Sequence, residues 1–260
     1  MWIRHAFMCG VRVLHVRGMS LPRPMVLDNV PLVSENLTTL KLWSVLLDGC
    51  SMDFSRCAKL EYLMMDDCSI SARKMLSNSL RLLCIIDCEF SGDTSTQICV
   101  PGLVSLRLDV NSGRAPMLVG SMPLLDTASV SLQLTHDPHA SEKCVLLEAL
   151  SNARNLELRD GSVVTIAMED LTYCPEFNKL QTLVLDGSAV GHNVHALILF
   201  LQHAPVLEKL IVHLYEEPNN EMEIGESYSL MEQLCPPEHL KTVEFRCREV
   251  NETVSRFRMP

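Results

Sequence analysis

No stretch of this sequence approaches the roughly 18 to 20 consecutive apolar residues that a membrane-spanning helix needs, so a membrane is not expected as a partner. The start, MWIRHAFMCGVRVLHVR, lacks the unbroken apolar core of a secretory signal, because Arg4 and Arg12 interrupt it. Without a secretory route, the glycosylation patterns at Asn36-Leu37-Thr38 and Asn251-Glu252-Thr253 carry little weight. Positive charge is in deficit: 22 Lys and Arg against 32 Asp and Glu leave a net charge of −10, which argues against nucleic acid, since phosphate backbones are bound by clustered cations. The eleven cysteines include no CxxC pair, so a structural zinc site is not expected and reduced, buried thiols fit best. That thiol pattern points to a cytoplasmic or nuclear protein. Neither a Gly-rich phosphate loop nor an HExxH or GxSxG motif occurs. The reading is therefore of a protein that is not an enzyme and carries no cofactor, metal or catalytic residue.

What the sequence does contain is a recurring frame. LTTLKL at 37, LEYLMM at 60, LRLLCI at 80 and LVSLRL at 103 superpose by their leucines. The same L-x-x-L-x-L frame, with substitutions, continues at 125, 153, 180, 207 and 240, and VRVLHV fits at 11. Ten units result, with spacings of 26, 23, 20, 23, 22, 28, 27, 27 and 33 residues. This is the period and pattern of a leucine-rich repeat, and ten weak matches in near register weigh more than one good one. The alternation in L-x-L predicts a short strand with inward leucines. A single unit cannot bury that apolar edge, so neighbours are expected to stack into a curved parallel sheet with one continuous core.

The segments between strands change along the chain. ASEKCVLLEALSNA (140–153) and VHALILFLQHA (194–204) have helical spacing, with Ser141 placed as an N-cap. Units two to five are shorter and contain Pro101, Gly102 and Gly113, which predicts loops and turns there. The expected fold class is α/β: a solenoid whose convex side is irregular in its first half and helical in its second. The solenoid is placed at 1–235, with the last repeat strand and a C-terminal segment at 236–260. Within the first part, YEEPNNEMEIGESY (215–228) reads as an acidic, solvated loop.

The segments WIRHAFMCGVRVLHV, LTTLKLWSVLL, CAKLEYLMMDDCSI, SLRLLCIIDCEF and PGLVSLRLDV carry a family resemblance, as does PPEHLKTVEFRCREVNETVSRF at the end. The chain resembles the leucine-rich-repeat region of plant F-box proteins, with a ribonuclease-inhibitor-like horseshoe and the beginning of an FBD segment. The resemblance implies substrate recognition in an SCF ubiquitin ligase. The family's F-box would precede the repeats, which here begin near residue 11, so a Skp-type adaptor is expected as a partner only if an F-box is supplied upstream. Two alternatives stay open. One is an adaptor-independent scaffold or regulator with no role in ubiquitin transfer; the other, the repeat region of an immune receptor, would need a nucleotide-binding domain.

Counting from each unit's first position, residues two, four and six further on face away from the core. A protein partner is expected to meet Trp43, Tyr62, Met64, Asp66, Leu82, Cys84 and Ile86, a largely apolar patch on adjacent strands. Arg107 and Asp109 open a polar stripe beyond it, continued by Ser129, Ser131, Glu157, Arg159 and Asp186. The histidines at 192, 195 and 203, and those at 136 and 139, lack a thiol or carboxylate at ligand spacing and read as ordinary surface residues. The triplet Asp66-Asp67-Cys68 reads as three neighbours facing different ways. Asp66 is outward, Asp67 begins a turn, and Cys68 sits at the repeat's Asn/Cys position, serving backbone groups.

Overall fold

A computed structural model describes residues 5–7, 9–18, 25–27, 33–48, 52–133, 146–159, 175–186, 200–214 and 238–247. The frame of ten units becomes ten parallel strands of one sheet. They are β1 (Val13–Arg17), β3 (Thr39–Trp43), β6 (Tyr62–Asp66), β9 (Leu82–Phe90), β11 (Ser105–Gly113), β13 (Thr127–Leu132), β14 (Asn155–Arg159), β15 (Thr182–Asp186), β16 (Lys209–Leu214) and β17 (Thr242–Cys247), in that spatial order. The register follows the frame at every step. Val13 pairs with Thr39, Thr39 with Tyr62, Tyr62 with Leu82, Leu82 with Ser105 and Ser105 with Thr127. Asn155, Thr182, Lys209 and Thr242 complete the row.

Because side chains alternate across a strand, this register stacks the inward residues coil upon coil. Leu40, Leu63, Leu83, Leu106, Ala128, Leu156, Leu183 and Leu210 are all buried, as are Leu42, Met65, Ile85, Leu108, Val130, Leu158, Leu185 and Val212. Burying one such side chain stabilises by about 1.5–3 kcal/mol. Each unit gains that only when neighbours cover it, which is why the architecture is a parallel-sheet solenoid.

Six of the ten strands are approached through the same turn. The amide of a unit's first residue donates to the carbonyl three residues earlier: Leu60 to Cys57, Leu103 to Val100, Leu125 to Met122, Ala153 to Leu150, Leu180 to Phe177 and Leu207 to Ala204. The accepting residues are themselves buried, so the turn is pinned from inside. At unit two a side chain takes over, with the Ser34 hydroxyl oxygen accepting from the Leu37 amide at 3.1 Å.

Three early coils also kink, after β3, after β6 and within β9. Ser44, Asp67 and Asp87, each seven residues after a unit's start, have φ of 50°, 52° and 48°. This left-handed conformation breaks the alternation and turns the next residue, Val45, Cys68 or Cys88, into the core. The chain then resumes as strand. β2 (Met25–Val26), β4 (Val45–Leu47) and β7 (Ser69–Ile70) pair in parallel, and β7 joins the far end of β9. Gly113 closes β11 where a Cβ would lie 2.1 Å from the Phe90 carbonyl oxygen, so only glycine fits.

The return side of these units is more regular than the expected loops. β5 (Met52–Asp53), β8 (Lys74–Leu76), β10 (Gln97–Cys99) and β12 (Met117–Leu118) form a second, four-stranded parallel sheet. Its inward row is Met52, Met75, Ile98 and Leu118, all buried. Of the helices expected over 140–153 and 194–204, the described residues hold 146–150 and 200–203 as helix. Buried Leu146, Leu147, Leu150, Phe200 and Leu201 fasten these turns to the core, and the Phe177 and Phe200 rings lie 5.6 Å apart. Ser141, the acidic segment 215–228, the histidines at 136, 139, 192 and 195, Asn251 and residues 248–260 lie outside the described residues.

Candidate functional site

The outward row positions two, four and six form one continuous face along the main sheet. Trp43, Tyr62, Met64, Asp66, Cys84 and Ile86 are half-buried on it, and Leu82 is 42% exposed. The register places Trp43 beside Asp66 and Asp66 beside Ile86, and Met64 beside both Lys41 and Cys84. With strands about 4.8 Å apart, all seven residues lie within one small area.

Two cations and a histidine frame this area on its N-terminal side. The Arg17 guanidinium lies 5.2 Å from the centre of the Trp43 ring, and the Lys41 ammonium 5.1 Å from that of Tyr62. His15 meets Trp43 edge-on at 5.6 Å. Such cation–π contacts contribute about 0.5–1 kcal/mol when exposed, which biases the long side chains toward the rings against an ordering cost of about 1.5–2 kcal/mol. The Tyr62 hydroxyl lies 3.6 Å from Met64 Sδ, and burial, with Cys84 as neighbour, pushes its pKa up, so it stays a neutral phenol. His15 and Arg17 were not singled out from sequence. The offset rule applied to the unit at 11 yields them directly, together with Val13, which is 54% exposed.

Arg107 stands beside Cys84 at the far edge of this area, but it and Asp109 are engaged in an ion-pair network. Asp109 receives Arg107 at 3.8 Å and Arg159 at 3.9 Å, and Arg159 also lies 3.8 Å from Glu157 and donates to the Ser129 hydroxyl at 3.1 Å. The Arg159 Nε is buried with no hydrogen bond of its own. This network balances its charges internally, and at least its exposed members contribute little to stability. Ser131, expected to be outward and exposed, is buried instead, as is Ile211 on the same face. Toward the last strand Glu244 takes Arg246 at 2.8 Å and Lys209 at 3.8 Å.

The triplet that begins at Asp66 resolves as three environments. The Asp67 carboxylate accepts the Ser44 hydroxyl at 2.7 Å across the kink. The Cys68 thiol, in the core, lies 3.4 Å from its Asp66 carbonyl acceptor and 3.7 Å from that of Leu42. Cys88 occupies the same place one coil on, bonded to the Ile86 carbonyl at 3.2 Å. A hydrogen bond with the Cys68 thiol, and then burial, hold the free Cys88 thiol far above its ordinary pKa, so it is an inert core residue. Among the described residues no group of three or more His, Cys, Asp or Glu is placed to hold a metal ion. His203 is half-buried, with Nδ1 3.3 Å from the Glu176 carboxylate.

Fold and face together define a class: a repeat solenoid that presents one long, in-register surface lined with aromatic, apolar and charged side chains. The sequence is similar to the meiotic F-box protein MOF of Oryza sativa subsp. japonica, with 27% identity over 236 residues. The match covers 82% of this chain and 49% of that protein, so the chain spans about half the length of the relative. This distant likeness relates the chain to F-box proteins. No family model and no solved structure matches it.

Proposed function

We propose that this chain is a non-enzymatic protein-binding module: the substrate-recognition repeat region of an F-box-type SCF ubiquitin-ligase subunit, or of a relative without the F-box. The observation that carries the reading is the apolar and aromatic surface of β3, β6 and β9, set by a register whose inward half is fully occupied by the core. Contiguous apolar area with aromatic anchors is what protein partners bury. The likeness to a rice F-box protein supplies the setting. In this reading the sheet is the inner face of a leucine-rich-repeat horseshoe, residues from 236 onward begin an FBD-like segment, and the protein works in the cytoplasm or nucleus.

The test uses two forms, this chain alone and this chain preceded by an F-box, each combined with Trp43→Ala plus Met64→Ala. Proximity labelling in plant cells reads the partners, and co-purification reads the Skp-type adaptor and cullin. The reading expects adaptor only with the F-box-bearing form, and a partner set lost in the double variant while circular dichroism stays native. A partner set unchanged by the double variant would refute the face. Partners bound through the face but never ubiquitinated by the F-box-bearing form would favour an adaptor-independent scaffold.

A further inference from the structure

The chemistry of this face narrows what it takes. Resting on the reading above, we infer that the surface spanning β1 to β9 binds an extended protein segment in which an Asp or Glu stands next to bulky aliphatic or aromatic residues. The protein as a whole is strongly acidic, at −10, yet the side of the apolar patch nearest the first strand is lined by Arg17, Lys41 and His15. At physiological salt the screening length is about 8 Å, so a bound side chain senses these neighbours far more than the distant net charge.

The two cations are also available. Neither Arg17 nor Lys41 has a carboxylate partner among the described residues; each is held over an aromatic ring instead. A ring contact biases the side chain toward this place without consuming its hydrogen-bond donors, so part of the ordering cost of binding an anion is already met. Arg107 differs, because its charge is already answered by Asp109. The favoured anion is therefore expected only at the N-terminal side of the patch.

The anion is a carboxylate and not a phosphate. Phosphate readers converge several arginines on one dianion, and here one Arg and one Lys are spread over neighbouring strands. Met64 stands next to Lys41 and Trp43 next to Arg17, and past β6, on β9, Leu82 and Ile86 extend the apolar surface that the aliphatic or aromatic neighbours of the acid would bury.

A displayed random dodecapeptide library, selected against the full chain at physiological salt, tests this. Selected peptides should be enriched in Asp or Glu within two residues of Leu, Ile, Met or Phe. Arg17→Glu with Lys41→Glu should weaken those peptides about tenfold, and selection against that variant should return Lys or Arg at the same place. Such a switch in preference cannot come from a misfolded chain. A phosphoserine version of the best peptide should bind no better than the Asp or Glu form; tighter binding overturns the carboxylate assignment. A neutral or basic consensus, an acidic one indifferent to the charge reversal, or no enrichment overturns the inference. If the failing consensus is still lost with Leu82→Asp, the face remains a binding surface and only its acidic preference falls. Peptides indifferent to Leu82→Asp sink both.

Discussion

Three pairs of identical neighbours, Met64 and Met65, Leu82 and Leu83, and Ile85 and Ile86, place the same side chain on opposite faces of one strand. Met65, Leu83 and Ile85 are fully buried, whereas Met64 and Ile86 are half-buried and Leu82 is 42% exposed. Truncating a buried side chain loses its transfer free energy and leaves a cavity, which costs about 2–5 kcal/mol for Met65→Ala or Leu83→Ala and about 0.5–1.5 kcal/mol for Ile85→Val. The outward partners have less burial to lose, so Leu82→Ala should stay within about 0.5–1 kcal/mol and Met64→Ala and Ile86→Val should each cost less than the inward twin. In urea, with a slope of about 2–3 kcal/mol per molar, a 3 kcal/mol loss moves the midpoint by about 1 M. Far-UV circular dichroism reads that shift, and hydrogen exchange over β6 and β9 shows whether the loss is confined to those coils, as a repeat architecture allows. Equal costs within each pair, or a larger cost on the outward side, would mean that the register is displaced by one residue. Every assignment made to the face would then fail with it.

The left-handed kinks give a second check: Asp87→Val should cost about 1–2 kcal/mol in thermal unfolding because a branched Cβ clashes there, while Asp87→Asn should be nearly neutral. Maleimide labelling of the native protein, read by mass spectrometry, should modify Cys9, Cys84 and Cys99 and spare Cys57, Cys68 and Cys88 until denaturant is added. Labelling of Cys88 as fast as Cys9 at neutral pH contradicts its place in the core. The Asp53 carboxylate accepts the Ser55 hydroxyl and, at 2.9 Å, the Ser55 amide, and these hold its pKa below the usual value. The stabilisation is complete above the unfolded-state value of about 4 and is lost as pH falls through the lower folded one, so Asp53→Asn should flatten the acid limb of a stability–pH curve.

The ten main strands were legible because one signal, leucines at L-x-x-L-x-L, states both where a strand lies and which face is inward. Val13, Thr39, Tyr62 and Leu82 share a row because each stands two places after its unit's start. The second sheet was not legible. Its strands hold two or three residues, too few for alternation to register, and only the recurrence of Met52, Met75 and Ile98 at 23-residue steps marks them. The approach turns hid for a similar reason. Cys57, Val100, Met122, Leu150, Phe177 and Ala204 share burial and a carbonyl role but no side-chain type. At the candidate site, parity placed Trp43, Tyr62, Met64, Leu82, Cys84 and Ile86 on one surface. Parity alone could not separate the Arg107–Asp109–Arg159 network from it, because ion pairing depends on rotamers and not on offset. Ser131 shows the converse, an outward position that is nonetheless covered.

Inward and outward positions therefore carry different kinds of information. With total stabilities of about 5–15 kcal/mol, an inward truncation consumes a large share of what holds the solenoid together, and an outward one almost none. The inward row is thus confined to Leu, Ile, Val, Met and Ala, with Phe245 on the last strand. The outward row runs from Arg17 and Lys41 through Leu82 and Ile86 to Arg159 and Glu244 without disturbing it. A surface released from the demands of folding in this way can be set by what it meets. The charges flanking its apolar part are then better guides to the partner than the leucines that reveal the fold.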